Sequence, residues 1–146
     1  MRVWIFCCYL AFIFIATCTE SLSLLLSKRI VTFHFNGDPS VLEFFQNDFT
    51  LQDSTYISQK IGHIIIFFFL GVLVYWVWRS VFLSLIISLA VALSTEVAQL
   101  FFSRSGRLLD VGYDMSGVFL FLVLVGCYQM VEFVFNKKNG NSVNRR

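Results

Sequence analysis

Four stretches of the chain, Val3 to Thr19, Ile61 to Trp78, Ser80 to Thr95 and Met115 to Val131, are predominantly apolar and contain no Asp, Glu, Lys or Arg. Each is close to the ~20 residues that a helix needs to cross a bilayer once flanking side chains snorkel. A transmembrane barrel would instead alternate apolar and polar positions in segments of about ten residues. The pattern predicts an all-α integral membrane bundle of four transmembrane helices, at about residues 3–26, 57–78, 81–102 and 109–135, in a single domain covering 1–146. Residues 27–56 are left as a loop. The polar, basic tail 136–146 reads as disordered.

Smaller signals refine this outline. Within the loop, "DPSVLEFFQNDF" places Ser40 and Glu43 at capping-box spacing, which predicts a short helix lying on the membrane surface. Arg79 and Ser80 are nearly all that separates the second and third helices, so these must form a tight antiparallel hairpin. Along the third helix Ser84, Ser88, Ala92, Thr95, Glu96 and Gln99 recur at successive turns, a small and polar stripe that lets neighbouring helices approach closely. Met1 and Arg2 followed by an apolar run with small residues at Ala16 and Thr17 have features of a signal peptide, but the run resumes at Leu22 and favours a retained helix.

Composition agrees with a membrane protein: 58% of residues are hydrophobic and the mean hydropathy is +0.76. The net charge of +2 comes from 11 scattered basic residues without a basic, aromatic-interleaved stripe, which excludes nucleic acid as a partner. Cys7, Cys8, Cys18 and Cys127 fall in apolar segments without ligand spacing and read as small hydrophobes. An even number of spans puts Arg2, Arg79, Lys137, Lys138, Arg145 and Arg146 on one side, against Lys28, Arg29, Lys60, Arg104 and Arg107 on the other. The second set is diluted by loop carboxylates, so both termini are expected in the cytoplasm of a cell whose cytoplasmic membrane holds the chain.

Against this apolar background, "EVAQLFFSRSGRLLDVGYDMSG" (residues 96–117) is densely polar. Antiparallel packing brings the start of the second helix, the end of the third and the start of the fourth to one membrane surface. Lys60, His63, Glu96, Gln99, Arg104, Arg107, Asp110 and Asp114 therefore converge there as candidate ligand-binding residues. The cation expected beside Glu96 is Arg104 or Arg107, because an unpaired charge in the bilayer costs ~3 kcal/mol or more. One interpretation is a salt-bridged plug that only fixes the helices; another is a polar pocket for a lipid or peptide head group. A general acid or base role for Glu96 with His63 has weaker grounds, since no nucleophile stands at informative spacing. Catalytic residues stay unassigned, no cofactor motif is present and no metal site is expected: one histidine among carboxylates lacks ligand spacing and arginines compete for the same oxygens.

Taken in order, Lys60-x-x-His63, Glu96-x-x-Gln99-x-Phe101, Arg104 or Arg107, and Asp110-x-x-x-Asp114-x-x-Gly117 resemble the VanZ-like family of small bacterial membrane proteins. The resemblance covers about residues 55 to 125. It implies a multi-pass protein of the cell envelope connected with antibiotic resistance, specifically to the glycopeptide teicoplanin, with membrane lipids and an envelope lipid or glycopeptide as partners. It also makes Gly117 a helix-packing residue. Asp114 stands where the family commonly has asparagine, and Phe121 replaces a second glycine, which predicts a wider separation of the fourth helix from its neighbour. Neither the ligand nor an oligomeric state follows from the sequence.

Overall fold

The computed structural model describes residues 1–19, 28, 31–46, 54–102 and 106–143. Its described residues are helical throughout their regular parts, with no strand: α1 (Arg2–Cys18), α2 (Ser54–Trp78), α3 (Val81–Phe101) and α4 (Leu108–Val143). Three of these are long and apolar enough to cross a membrane, over Tyr56–Trp78, Val81–Phe101 and Leu108–Lys137. α1 is apolar too but has 17 residues, and it closes where Thr19 turns extended, short of the expected end at residue 26. α4 differs in the other direction, running on to Val143 through most of the tail read as disordered. Lysine is a good helix former, so Lys137 and Lys138 give the backbone no reason to stop where the apolar run ends. The expected surface helix is a five-residue 3₁₀ segment, Val41–Phe45, packed against α3 and α4.

α2 and α4 share the largest interface, and α3 packs on both. Phe67, Leu70 and Val74 of α2, Ala92 of α3, and Val111, Met115 and Val118 of α4 form the core, joined by Phe6 and Ile13 of α1. Large apolar side chains such as Phe82, Phe119, Leu124 and Phe133 point outward and are exposed, as expected where the surrounding medium is lipid. α1 lies antiparallel along α2: the Arg2 guanidinium sits 5.0 Å from the Trp76 ring, Tyr9 Oη donates to the Ile66 carbonyl at 2.8 Å, and Thr17 shares a cavity with Gly62.

The hairpin between α2 and α3 turns on Arg79, whose φ of 54° is in the left-handed region. That conformation costs a non-glycine residue about 1 kcal/mol, and Ser80 offsets it by capping α3, its Oγ accepting the Leu83 N–H at 3.3 Å. The small stripe of α3 is buried as expected, and Ser84 Oγ donates to the Gly71 carbonyl at 2.8 Å.

Gly117 sets the separation of α2 and α4. A Cβ there would lie 2.1 Å from the Ile64 carbonyl oxygen, so the two backbones touch. Phe121, one turn on, does not hold the helices apart as its bulk predicts. Its ring is buried over Gly71, where a Cβ would come within 2.9 Å of it, and it makes edge contacts with Phe68 and Tyr75. A glycine on the facing helix supplies the room that the missing glycine of α4 would have given.

Candidate functional site

The close approach at Gly117 determines what happens one turn earlier. α2 and α4 run parallel, so Lys60 and His63, three residues apart, meet Asp110 and Asp114, four apart, as two successive rungs. Lys60 Nζ is 2.5 Å from Asp110 Oδ1. The ammonium also lies 4.6 Å from the Tyr56 ring and 5.7 Å from the Tyr113 ring, two aromatic faces that shield it from the bilayer. His63 Nδ1 is 2.8 Å from Asp114 Oδ1. Every side chain in these rungs except His63 is buried, and Asp114 is completely inaccessible.

α3 contributes Glu96 from the side, also at 0% exposure, with Oε1 4.0 Å from His63 Nδ1. Gln99, one turn further, donates from Nε2 to Oε1 at 2.9 Å. The expected side-chain ion pair between Glu96 and Arg107 does not form. Instead the backbone N–H of Arg107 donates to Glu96 Oε2 at 2.8 Å, an interaction that needs the loop to press directly on the end of α3. Gly106 makes this approach feasible, since a Cβ there would sit 1.9 Å from the Glu96 carbonyl oxygen. Arg104, the other expected partner, lies outside the described residues. The segment before the 3₁₀ turn seals the same end of α3, with Asn36 N–H donating to the Phe101 carbonyl at 2.7 Å and Phe33 and Phe35 packed on Phe102.

The described groups therefore form a Lys60–Asp110 pair beside a triangle of His63, Glu96 and Asp114, whose nearest nitrogen and oxygen atoms all lie within 4.8 Å of one another. Asp114 Oδ2 is buried and has no hydrogen-bond partner. His63 keeps 16% of its side chain accessible and lines a cavity of about 70 Å³ with Ala16, Thr17, Ser58, Gln59, Gly62 and Ile66. The chemistry open to this arrangement is recognition of a polar group or a cation, or proton transfer through an imidazole oriented by a carboxylate.

Three residues that matter here escaped the sequence reading. Gly106 was visible as a lone glycine between charged residues in "RSGR", and Tyr56 and Tyr113 as aromatics one turn from Lys60 and Asp110. Nothing in the sequence pointed to Gly62 or Thr17 as walls of the cavity at His63.

A helical membrane bundle with charged groups converging from three helices, joined by a backbone amide of a short loop, is the class that this architecture defines. The VanZ/LLP1 family profile matches residues 3–129, and the chain belongs to that family. It is 42% identical over 122 residues, 81% of each chain, to a protein of Bacillus subtilis (strain 168) named as the uncharacterized membrane protein YwnJ. No solved structure gives a significant match.

Proposed function

We propose that this VanZ-like protein crosses the bacterial cytoplasmic membrane four times with both termini in the cytoplasm, and that its outward-facing polar cluster binds or shields a cell-envelope component. The component is a lipid-linked precursor or a glycopeptide of the teicoplanin kind, seated by its polar head at the cluster and by its apolar chain against the helix flanks. Four spans are supported by the course of α1, which follows α2 from Trp76 to Gly62 over about 25 Å at 1.5 Å per residue. An even number of spans then puts the start of α2 and the end of α3 opposite the termini.

One observation carries the ligand reading: His63, hydrogen-bonded to the buried Asp114, is the member of the triangle that reaches a cavity. A cluster that served only as a plug would leave no polar group unsatisfied, yet Asp114 Oδ2 has no partner. The same His63–Asp114 pair also supports a second reading, an intramembrane enzyme in which His63 moves a proton on a lipid substrate.

Both are tested in one strain by measuring susceptibility to a lipid-bearing glycopeptide and the composition of lipid extracts. Deleting the gene, or introducing His63→Ala, is expected to alter susceptibility without altering lipids. Unchanged susceptibility on deletion overturns the binding reading, and a lipid species that disappears in the His63→Ala strain replaces it with the enzymatic one.

A further inference from the structure

We propose that His63, Glu96 and Asp114 bind one divalent transition-metal ion, with His63 Nδ1 and one oxygen from each carboxylate as its ligands. The triangle is the site described above, but metal binding does not require that the bound component be an envelope lipid or a glycopeptide.

Geometry is the first support. Ligand atoms about 2.1 Å from a common centre stand ~3.0 Å apart in adjacent octahedral positions and ~4.2 Å apart in opposite ones. The observed separations, 2.8 Å from His63 Nδ1 to Asp114 Oδ1 and 4.0 Å to Glu96 Oε1, with all three ligand atoms within 4.8 Å, need only small side-chain adjustments to meet that spacing. Three different helical positions, on α2, α3 and α4, hold the donors in place.

Charge is the second support. Glu96 and Asp114 are both at 0% exposure, and burying two carboxylates costs several kcal/mol each unless cations compensate them. Among the described residues, Lys60 is engaged with Asp110, and Arg107 approaches Glu96 through its neutral backbone amide. With a neutral imidazole the triangle carries two negative charges, which one divalent ion balances. The sequence argued against a metal because one histidine among carboxylates lacks ligand spacing and arginines compete for the same oxygens; the fold brings the donors together in space, and Arg107 meets Glu96 through its N–H.

Supporting contacts are the third. Metal ligands are held by outer hydrogen bonds, and Glu96 has two, from Gln99 Nε2 to Oε1 and from Arg107 N–H to Oε2, each leaving a second lone pair on its oxygen. Asp114 Oδ2 is a buried acceptor without a hydrogen-bond partner, so the carboxylate is free to bind an ion through both oxygens or to turn and present this one in place of Oδ1. A metal on Nδ1 requires the imidazole proton on Nε2. One nitrogen with two carboxylate oxygens suits zinc or manganese better than magnesium or calcium, which take oxygen alone. Three protein ligands leave coordination positions open, the hallmark of a site that exchanges water for another group.

The test uses the full chain purified in detergent, with any polyhistidine tag removed. After stripping with a chelator, Zn²⁺ alone is titrated against a chromogenic competitor while thermal unfolding is followed by tryptophan fluorescence. We expect uptake of one zinc per chain and a zinc-dependent rise in Tm. Binding should weaken at least ~10-fold in His63→Ala, Glu96→Gln and Asp114→Asn, and be retained in Ser94→Ala on the exposed surface of α3. A parent protein that takes up no zinc and shows no rise in Tm overturns the proposal, as do folded triangle variants that bind as the parent does. Should those variants not accumulate, the parent's uptake and Tm still decide. Drug susceptibility plays no part in this readout, so the envelope-ligand reading stands or falls separately.

Discussion

Arg107 holds Glu96 by its backbone: the amide N–H lies 2.8 Å from Oε2, while Gly106 beside it passes so close to the Glu96 carbonyl that a Cβ would stand 1.9 Å from the oxygen. Because the obstructing atom belongs to helix backbone, it cannot swing aside. Gly106→Ala is therefore expected to destabilise the protein by about 1–3 kcal/mol, the usual range for overpacking. Gly112→Ala, with nothing within 4 Å of the added methyl, should match or exceed the parent. Thermal unfolding in detergent compares the two, and equal melting of Gly106→Ala and Gly112→Ala contradicts the tight approach.

Glu96 works as an acceptor of two hydrogen bonds, so its shape and its charge are separable. In Glu96→Gln the carbonyl oxygen still accepts the Arg107 N–H, and Gln99 turns its own amide over to accept from the new NH₂ group. Glu96→Leu leaves the Arg107 N–H and the Gln99 amide unpaired at a cost of about 1–3 kcal/mol per group. The expected order of Tm is parent, then Gln close behind, then Leu well below. A Gln variant as unstable as the Leu variant would show that the charge itself is needed for folding.

Lys60 and Asp110 are 11% and 7% exposed in their side chains, a pair removed from water and ringed by tyrosines. Removing one partner strands the other, at about 3–5 kcal/mol. Lys60→Met and Asp110→Asn should each lower stability, and the double variant should be more stable than the sum of the two losses predicts. Strict additivity in this cycle would mean that the two side chains do not interact.

Gly117 links packing to the site, since it is three residues after Asp114 and a Cβ on it would run into the carbonyl of Ile64, the neighbour of His63. Gly117→Ala must move α2 away from α4 and so lengthen the His63–Asp114 contact. We expect it to lower both Tm and zinc affinity, whereas Gly126→Ala, which meets nothing within 4 Å, should lower neither. A Gly117→Ala protein with the parent's Tm would show that the interface has slack.

Orientation is checked by labelling. In a chain without native cysteines, a cysteine replacing Asp38, an exposed residue two positions after the Asn36 that pairs with the end of α3, should react with a membrane-impermeant maleimide in intact cells. One replacing Asn139 should react only after the cells are opened. The opposite pattern reverses the topology and places the His63 cavity on the cytoplasmic side.

The sequence by itself determined the one-dimensional part of this protein. Apolar runs define α2 and α3 to within about three residues, Arg79 and Ser80 require their hairpin, and the buried stripe from Ser84 to Gln99 follows from helical periodicity. Connectivity then carries Lys60, His63, Glu96, Asp110 and Asp114 to the same end of the bundle, because antiparallel helices of similar length have no other arrangement. The structure decided the pairings among the described residues: Lys60 with Asp110, His63 with Asp114, and Glu96 with the backbone amide of Arg107. Those contacts, the one from Glu96 to the backbone amide of Arg107 and not to its guanidinium included, depend on how each helix is rotated about its axis and how near its neighbour lies, and those distances are set by atoms at Gly106, Gly117 and Gly71 meeting backbone or ring on another segment. Periodicity places a residue on a face and at a height. It takes packing in three dimensions to turn a histidine and two carboxylates into a triangle less than 5 Å across.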